Sequence, residues 1–486
     1  MVKKKGNNIM LEVQTINVPF HWIDSGEKRL DARFYTQDVI AARILVDKIQ
    51  KKGIRLDNIT GLSKRIFWPG RFKRCYVSQK EGKPFLMPSE VFMFLPKATK
   101  YITNYPSEVL VKENWLLITR SGTIGRCLIS TKYLENFVLS DDLIRIIPND
   151  NRIVGYLYAY LNTWIGQAFL TKDRYGATVK HIEPHHVTNI PTPRIPDLEE
   201  EINQKILEAH KLREEAQELL LKAEETIYSA LGLPKIDEDD VEYFGGEIGR
   251  FVKAFEVKAS ELDYRLDASY HVPILRLIKK NLKEQENKGK FRLKRLGDGI
   301  AKVFDLPTYK RIYVKPEEGY PILSGTHLRQ IKLYDLKYIS GRSFYQREKS
   351  VIDKYKVKKR WILTTERGTT GVSALVTEYW DGWLASHNIL RVVPQNINSG
   401  YLLAYLNTEY AQYQLKSKEL GAVVEVLDPR DMEDIMIPIP RGESVQNKID
   451  SLVNEAYNKK DKANQIEEEA IKELEKGLEF IAEERG

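Results

Sequence analysis

Residues 155–163 read GYLYAYLNT and residues 400–408 read GYLLAYLNT, two nine-residue stretches that differ at one position. Working outward, three more pairs of segments match in the same order. WLLITRSGTIG (115–125) matches WILTTERGTTG (361–371), and FKRCYVSQKEGKPFL (72–86) matches YKRIYVKPEEGYPIL (309–323). RLDARFY (29–35) matches RLDASYH (265–271). The step from Trp115 to Trp361 is only slightly longer than the step from Arg29 to Arg265, so the second copy carries only a short insertion. Four matches in one order identify an internal duplication. A duplication kept for folding alone stays open as a reading. Two related readers that touch two DNA half-sites are the functional alternative.

Each copy reads as a mixed α+β module. A short amphipathic helix follows RLD (Phe34–Lys52; Tyr270–Glu286). Short strands rich in Tyr, Ile and Val come next, broken by Gly and Pro. One strand enters a Gly-x-x-Gly turn (Gly122–Gly125; Gly368–Gly371), and a strand ending IRIIP or LRVVP follows. A helix starts near Gly155 or Gly400, and a Gly-Ala loop (Gly176, Ala177; Gly421, Ala422) leads to a Pro-rich exit strand.

Each module then feeds a long helix. From Asp197 to Tyr228 there is neither Gly nor Pro. Ile202, Ile206, Ala209, Arg213, Ala216, Leu220, Ala223 and Ile227 recur at alternating spacings of four and three, a heptad seam. The C-terminal segment offers Ile449, Leu452, Ala456, Lys459, Ala463, Ile466 and Ala470. A narrow apolar stripe needs a partner. The two helices are expected to pair with each other, antiparallel by pseudo-twofold symmetry, in a rod of roughly 45 Å. A helical hairpin that only closes a core is the plainer reading. The expected divisions are an arm (1–27), a first domain (28–196), a central helix (197–232), a linker (233–258), a second domain (259–441) and a C-terminal helix (442–486).

Charge separates along the same lines. The chain of 486 residues has a net charge of +8. Residues 197–228 hold ten acidic and four basic side chains, and residues 443–485 hold twelve and seven. The remainder carries +19. The modules are cationic, which suits a polyanion, while the acidic helices suit protein. Candidate DNA contacts are Lys64, Arg65, Arg71, Lys73 and Arg74 in the first copy, and Lys310, Arg311, Arg329, Arg342 and Arg347 in the second. The Gly turns and their neighbours add Arg120, Ser121, Thr123, Lys180, Arg367, Thr369 and Thr370. Glycines let backbone amides approach a phosphate, but a tight turn with no ligand stays open.

Other chemistry is poorly represented. There is no nucleotide-binding P-loop and no dinucleotide fingerprint. FDLPTY (304–309) lacks the adjacent prolines of an amino-methyltransferase motif. HIEPHH (181–186) mimics metal-ligand spacing, but Pro184 is expected to interrupt a helix there and the second copy has VLDPRD. No metal site and no catalytic residue are expected. Two cysteines, Cys75 and Cys127, make no disulfide framework, and no membrane span or signal sequence is expected, so a cytoplasmic setting is the default.

The duplicated order resembles the specificity subunits of type I restriction–modification systems. The resemblance covers nearly the whole chain. It rests on SGTIG (121–125), GYLYAYLNT, the GATVKHI loop from Gly176 and the helix that follows IPTPRIP. The second copy departs to RGTTG and GAVVEVL, which weakens the inference for its turn. The resemblance implies an α+β fold: two tandem target-recognition domains joined by two antiparallel coiled-coil helices. It also implies a non-catalytic subunit that binds a bipartite, asymmetric duplex DNA site. Two methyltransferase subunits would dock on the helices, with restriction subunits in the full enzyme. S-adenosylmethionine, ATP and Mg2+ would sit on those partners. Loops supported by the helices after RLD are the expected major-groove elements. The competing readings are a restriction–modification protein with its own catalytic site and a coiled-coil scaffold that does not read sequence.

Overall fold

A computed structural model describes residues 2–5, 8–11, 17–25, 30, 32–172, 180–236, 241, 254–262, 265–343, 349–419 and 425–483. Both copies have the same topology. In the first, Ser63–Phe67, Leu143–Pro148, Leu116–Thr119 and Cys127–Ile129 form one four-stranded sheet. Val138–Leu139, Lys83–Leu86, Lys100–Thr103 and Cys75–Val77 form a second. In the other copy the same order recurs as Ala301–Phe304, Ile389–Pro394, Ile362–Thr365, Ser373–Leu375, and as Leu384–Ala385, Tyr320–Leu323, Lys337–Ile339, Tyr313–Val314. The exit strand pairs antiparallel with the strand that follows the first helix, Pro191–Pro193 with Leu56–Asn58 and Met436–Pro440 with Phe291–Arg295. The central strands Leu116–Thr119 and Ile362–Thr365 are buried throughout, whereas the edge strands Cys75–Val77 and Tyr313–Val314 are not.

The duplicated GYL motif is explained by helix docking. Its helices are Asn151–Asn162 and Ser399–Leu406. Gly155 N donates to Asn203 Oδ1 at 2.7 Å, and Gly400 N donates to Asp450 Oδ1 at 2.7 Å. Tyr156 OH and Tyr401 OH donate to the carbonyls of Pro193 and Pro438 in the exit strands. Tyr160 OH and Tyr405 OH reach the carbonyls of Pro191 and Met436. Glycine is needed because a Cβ at 155 would lie 2.6 Å from the Asn203 carbonyl oxygen. Ala gains up to about 1 kcal/mol of helix propensity over Gly, whereas overpacking costs about 1–3 kcal/mol. Gly155→Ala is therefore expected to destabilise the chain by roughly 1–2 kcal/mol in denaturant titration, and an unchanged midpoint would remove this role.

The long helices are Pro196–Leu231 and Glu443–Glu483. Pro196 opens the first at a position whose amide has no helical acceptor, and Gly232 ends it in the left-handed region at φ 65°. They lie along each other and run antiparallel. Lys205 pairs with Glu473, Lys462 with Glu208 at 3.7 Å, Arg213 with Glu467 at 2.5 Å, and Lys459 with Glu215 at 2.8 Å. Ile202, Ile206, Ala209, Ala216 and Ala223 are buried as expected, with Leu220 half-buried.

The second seam differs from the expected one. Leu452, Lys459 and Ile466 are only half-buried on its flank. Val453, Lys460 and Glu467 are buried in their places, whereas Ile449, Ala456, Ala463 and Ala470 are buried as the spacing predicts, and Leu474 and Leu478 continue the seam. These positions repeat the spacing of the central-helix seam, Ile449 answering Ile202, Lys460 answering Arg213 and Glu467 answering Leu220, so the register is shared by both copies. Hydrophobicity favours Ile466 over the charged Glu467, and nothing in the local pattern separates Leu452 from Val453 or Lys459 from Lys460. Burial here follows geometry: Arg213 and Lys332 from outside the helix pair with Glu467, and the Lys460 ammonium lies 5.0 Å from the Phe94 and Trp380 rings.

The helices belong to both cores. Ile202, Ile206, Ala470, Leu474 and Leu478 pack into the first module, and Ala216–Leu231 with Ile449–Tyr457 pack into the second. The modules also touch directly. Met93 bridges Gln330 antiparallel, Phe94 N donates to Arg329 O, and Ile331 N donates to Phe92 O. Met93 and Gln330 are equivalent positions, each following its FKR or YKR segment at the same distance. A reciprocal bond pair between equivalent residues means that a local pseudo-twofold axis passes between them.

Candidate nucleic-acid interface

The basic stretch at 71–74, the Gly turn and the Ser140–Asp142 loop meet in the first module, although they are far apart in sequence. They line a cleft of about 680 Å³ that includes Arg71, Arg74, Ser121, Asp141, Asp142 and His181. Arg74 enters from just before the edge strand Cys75–Val77, and Nη2 lies 2.6 Å from Asp141 Oδ1. Burial lowers the Arg74 pKa, but the bond to Asp141 outweighs it and the net direction is up. In the second module Arg311 takes the equivalent place. Its Nη2 lies 2.9 Å from Ser386 Oγ and 3.1 Å from His387 Nδ1. Burial, then the nearby Arg311, Arg367 and Arg391, hold His387 below its ordinary value, so it is neutral at pH 7. The same scaffold position therefore presents an arginine neutralised by a carboxylate in one copy and an arginine beside a neutral imidazole in the other.

Beneath both loops lies a residue that the sequence reading missed. Arg145 is fully buried and donates to the carbonyls of Leu143, Val109, Leu139 and Ser140. Its counterpart Arg391 donates to Ser386, Ile389 and Ala385. Burial brings both down to about 10, which still leaves them charged at neutral pH. Each clamps the backbone that carries Ser140 or Ser386. The repeated Arg within IRIIP and LRVVP was the available signal, hidden because a strand Arg normally reads as exposed.

The Gly turns do not form an open anion cradle. Gly122, Gly125, Gly368 and Gly371 have φ between 70° and 85°. Gly122 N donates to Lys180 O, Gly125 N to Thr119 O, Gly368 N to Glu425 O and Gly371 N to Thr365 O. Their amides are consumed by the turn and by the segments that bridge to it, Ser121 with His181 and Arg367 with Val426. Arg120 is buried on Trp68 at 4.0 Å and bonds Asp142 at 3.3 Å and Glu183 at 2.5 Å. It is an internal brace. Ser121 bonds Asp142, and Thr370 is buried on Glu419. Thr123, Thr369 and Arg367 remain exposed, and Lys180 is half-buried.

Of the other candidates, Lys64, Arg65, Arg71, Lys73, Lys310 and Arg342 lie at the surface, with Arg65 stacked on Phe67 at 4.0 Å. Arg329 does not line that cleft; it is half-buried in the contact between modules, and burial lowers its pKa. Arg347 and the Gly-Ala loops lie outside the described residues. Pro184 does not interrupt a helix. It starts the short helix Pro184–Thr188, because proline suits the first helical position. His186 Nδ1 there accepts from Glu183 N at 3.0 Å, a capping role.

A second unanticipated feature is duplicated and exposed. Tyr76 and Tyr313 sit at equivalent places on the edge strands, 51% and 50% exposed. Lys100 lies 5.5 Å from the Tyr76 ring and Lys337 lies 5.1 Å from the Tyr313 ring. Half-exposed aromatics paired with lysine, repeated in both copies beside Arg74 and Arg311, mark an outward-facing surface. Identity of the tyrosine in both repeats was the signal.

Comparison with family models matches residues 71–214 and 290–476 to the type I restriction modification DNA specificity domain. The chain belongs to this family. Membership establishes a sequence-specific DNA-recognition subunit with two tandem specificity domains, of the kind that assembles with methyltransferase and restriction subunits. Comparison with curated protein sequences finds no match. Among solved structures, the chain is similar to the type I restriction-modification S subunit from M. genitalium. Identity there is 12% over 89% of this chain and 97% of that one, with a TM-score of 0.35. The HsdS subunit from Thermoanaerobacter tengcongensis matches at 12% identity over 88% of this chain and 95% of that one, with a TM-score of 0.27. The type IIG restriction endonuclease BpuSI matches at 11% identity over 42% of this chain and 33% of that one, with a TM-score of 0.26. Among the described residues no helix is long and apolar enough to cross a membrane.

Proposed function

We propose that each specificity domain reads one half of a bipartite, asymmetric duplex site, through the cleft between its two sheets and the tyrosine-bearing edge strand beside it. The observation that carries this reading is the pair of equivalent positions Asp141 and His387. The scaffold around them is duplicated down to the buried arginine, while the polar group facing Arg74 or Arg311 changes. Two readers of different half-sites need a common frame and different linings. Phosphate contacts from exposed Lys and Arg fix register, and side chains reaching base edges set specificity.

The two long helices act as a coiled-coil spacer in this proposal. A helix of 36 residues is about 54 Å long. At about 3.4 Å per base pair, that places two readers more than one turn of DNA apart. The acidic outer faces of the helices repel DNA and serve as the docking surface for two methyltransferase subunits. Phe480, 63% exposed on the C-terminal helix, supplies apolar area for such a contact. Restriction subunits complete the complex. S-adenosylmethionine, ATP and Mg2+ bind those partners, and this chain contributes recognition without catalysis.

Domain exchange tests the reading. In the assembled complex, replacing residues 308–350 by the corresponding segment of a relative is expected to change one half of the methylated site, read by sequencing modified adenines. Arg311→Ala is expected to weaken binding of that half by about 10–100-fold, the equivalent of a lost base or phosphate contact. Change in both halves, or in neither, would overturn the modular assignment.

A further inference from the structure

Away from the arginine-lined cleft, one face of the central helix meets a loop of the first module in a way that folding alone does not explain. His210 and Glu214 are one helical turn apart, so they share a face, and Nε2 lies 3.9 Å from Glu214 Oε1. Glu113 arrives from the loop before the strand Leu116–Thr119. One donor atom from each of the three side chains falls within 4.8 Å of the others. Among the described residues this is the only His, Cys, Asp and Glu group so arranged.

Three facts distinguish the cluster from an accidental acidic patch. First, His210 is 6% exposed and its Nε2 has no hydrogen-bond partner. A buried imidazole nitrogen without a partner has given up water and gained nothing in exchange. Second, the loop is held in place independently of the cluster. Glu113 N donates to Glu135 Oε1 at 2.9 Å, and Asn114 adopts a left-handed φ of 67° with its N bonded to Ser130 O. Lys132 N donates to Glu214 Oε1 at 2.8 Å, which orients that carboxylate. Third, the duplicated copy solves the same packing problem differently. The equivalents of Glu113, His210 and Glu214 are Lys359, Tyr457 and Asp461, and Asp461 is bonded by Thr377. The fold at this place therefore does not require two acids and an imidazole.

We propose that Glu113, His210 and Glu214 bind a divalent transition cation, with Zn2+ the best match, and that the ion fastens the first specificity domain to the central helix. One imidazole with two carboxylates is a borderline donor set, suited to zinc, manganese or cobalt and poorly suited to calcium or magnesium, which favour oxygen alone. Ligand distances of about 2.0–2.2 Å require the three donors to close slightly around the ion. The exposed Glu113 side chain can supply that movement. A cation also relieves the repulsion between Glu113 and Glu214.

The test uses the full chain, stripped with chelator and returned to metal-free buffer. Zinc chloride titrated by calorimetry is expected to bind at one site per chain and to raise the thermal midpoint by several degrees through mass action. Co2+ in its place is expected to give visible absorption bands of a bound ion. Glu113→Gln removes an exposed ligand without touching the core, and it is expected to weaken zinc at least tenfold. His210→Ala is expected to do the same, while Glu135→Gln retains binding. Zinc uptake that is absent in the wild type, or unchanged in Glu113→Gln, would overturn the assignment.

Discussion

Glu467→Gln is expected to destabilise the chain by about 3–5 kcal/mol, because it removes the carboxylate that neutralises a buried pair of cations. Glu467 Oε2 lies 2.5 Å from Arg213 Nη1, and Oε1 lies 2.7 Å from Lys332 Nζ. Tyr158 OH donates to the same carboxylate at 2.8 Å, and Asn162 and Asn464 bond the two cations. Three segments meet here: the central helix, the C-terminal helix and the second module's 327–335 segment, against Tyr158 of the first module. Burial pushes the Glu467 carboxyl up, but Arg213 and Lys332 push it further down, to about 2. The folded value lies below the ordinary 4.5. The stabilisation is therefore fully present above pH 4.5 and is lost as pH falls toward 2. Thermal unfolding at pH 7 is expected to show a fall on the order of 10 °C in the first transition. The triple variant Arg213→Met, Lys332→Met, Glu467→Leu is expected to recover most of it, since apolar replacement of a whole buried ion group is often neutral. A Glu467→Gln chain as stable as wild type would show that the carboxylate contributes nothing.

Ala216→Glu is expected to have a larger effect still. Ala216 and Ala463 are equivalent positions of the two helices, and both are 0% exposed. Their small side chains let the helix backbones approach near the pseudo-twofold axis. A glutamate there brings an unpaired charge and four extra heavy atoms into the seam, a combination that costs more than about 4–5 kcal/mol. Both module cores include residues of both helices, so parting the helices opens both cores at once. Loss of cooperative unfolding, and loss of co-purification with a methyltransferase subunit, are the expected readouts, for Ala463→Glu as well. Leu221→Glu is the control, because Leu221 is 36% exposed on the same helix. Surface changes of this kind stay within about 0.5 kcal/mol. A soluble, fully assembled Ala216→Glu chain would remove the helix seam as the organising element.

The sequence by itself determined the duplication, the strand and helix order within each copy, the two long helices and the segregation of charge. These are carried by local pattern: Gly and Pro punctuation, heptad spacing and a repeated motif. The reason for the motif was not legible. Gly155 and Gly400 matter because a second helix lies against them, and nothing near them in sequence says so. In the second seam local pattern points to Leu452, Lys459 and Ile466, whereas Val453, Lys460 and Glu467, one position on, are buried by the register against the first helix.

Only the tertiary structure decided which charges are free to meet a ligand. Arg120, Arg74, Arg145 and Arg213 look alike in a sequence. One braces a turn on Trp68, one is neutralised by Asp141, one clamps carbonyls and one holds two helices together. Electrostatic partners are chosen by distance across the fold, and they can come from opposite halves of the chain, as with Arg213 and Glu467. Periodicity fixes which face of an element is turned inward; it carries no information about which charged groups from other segments will lie against it.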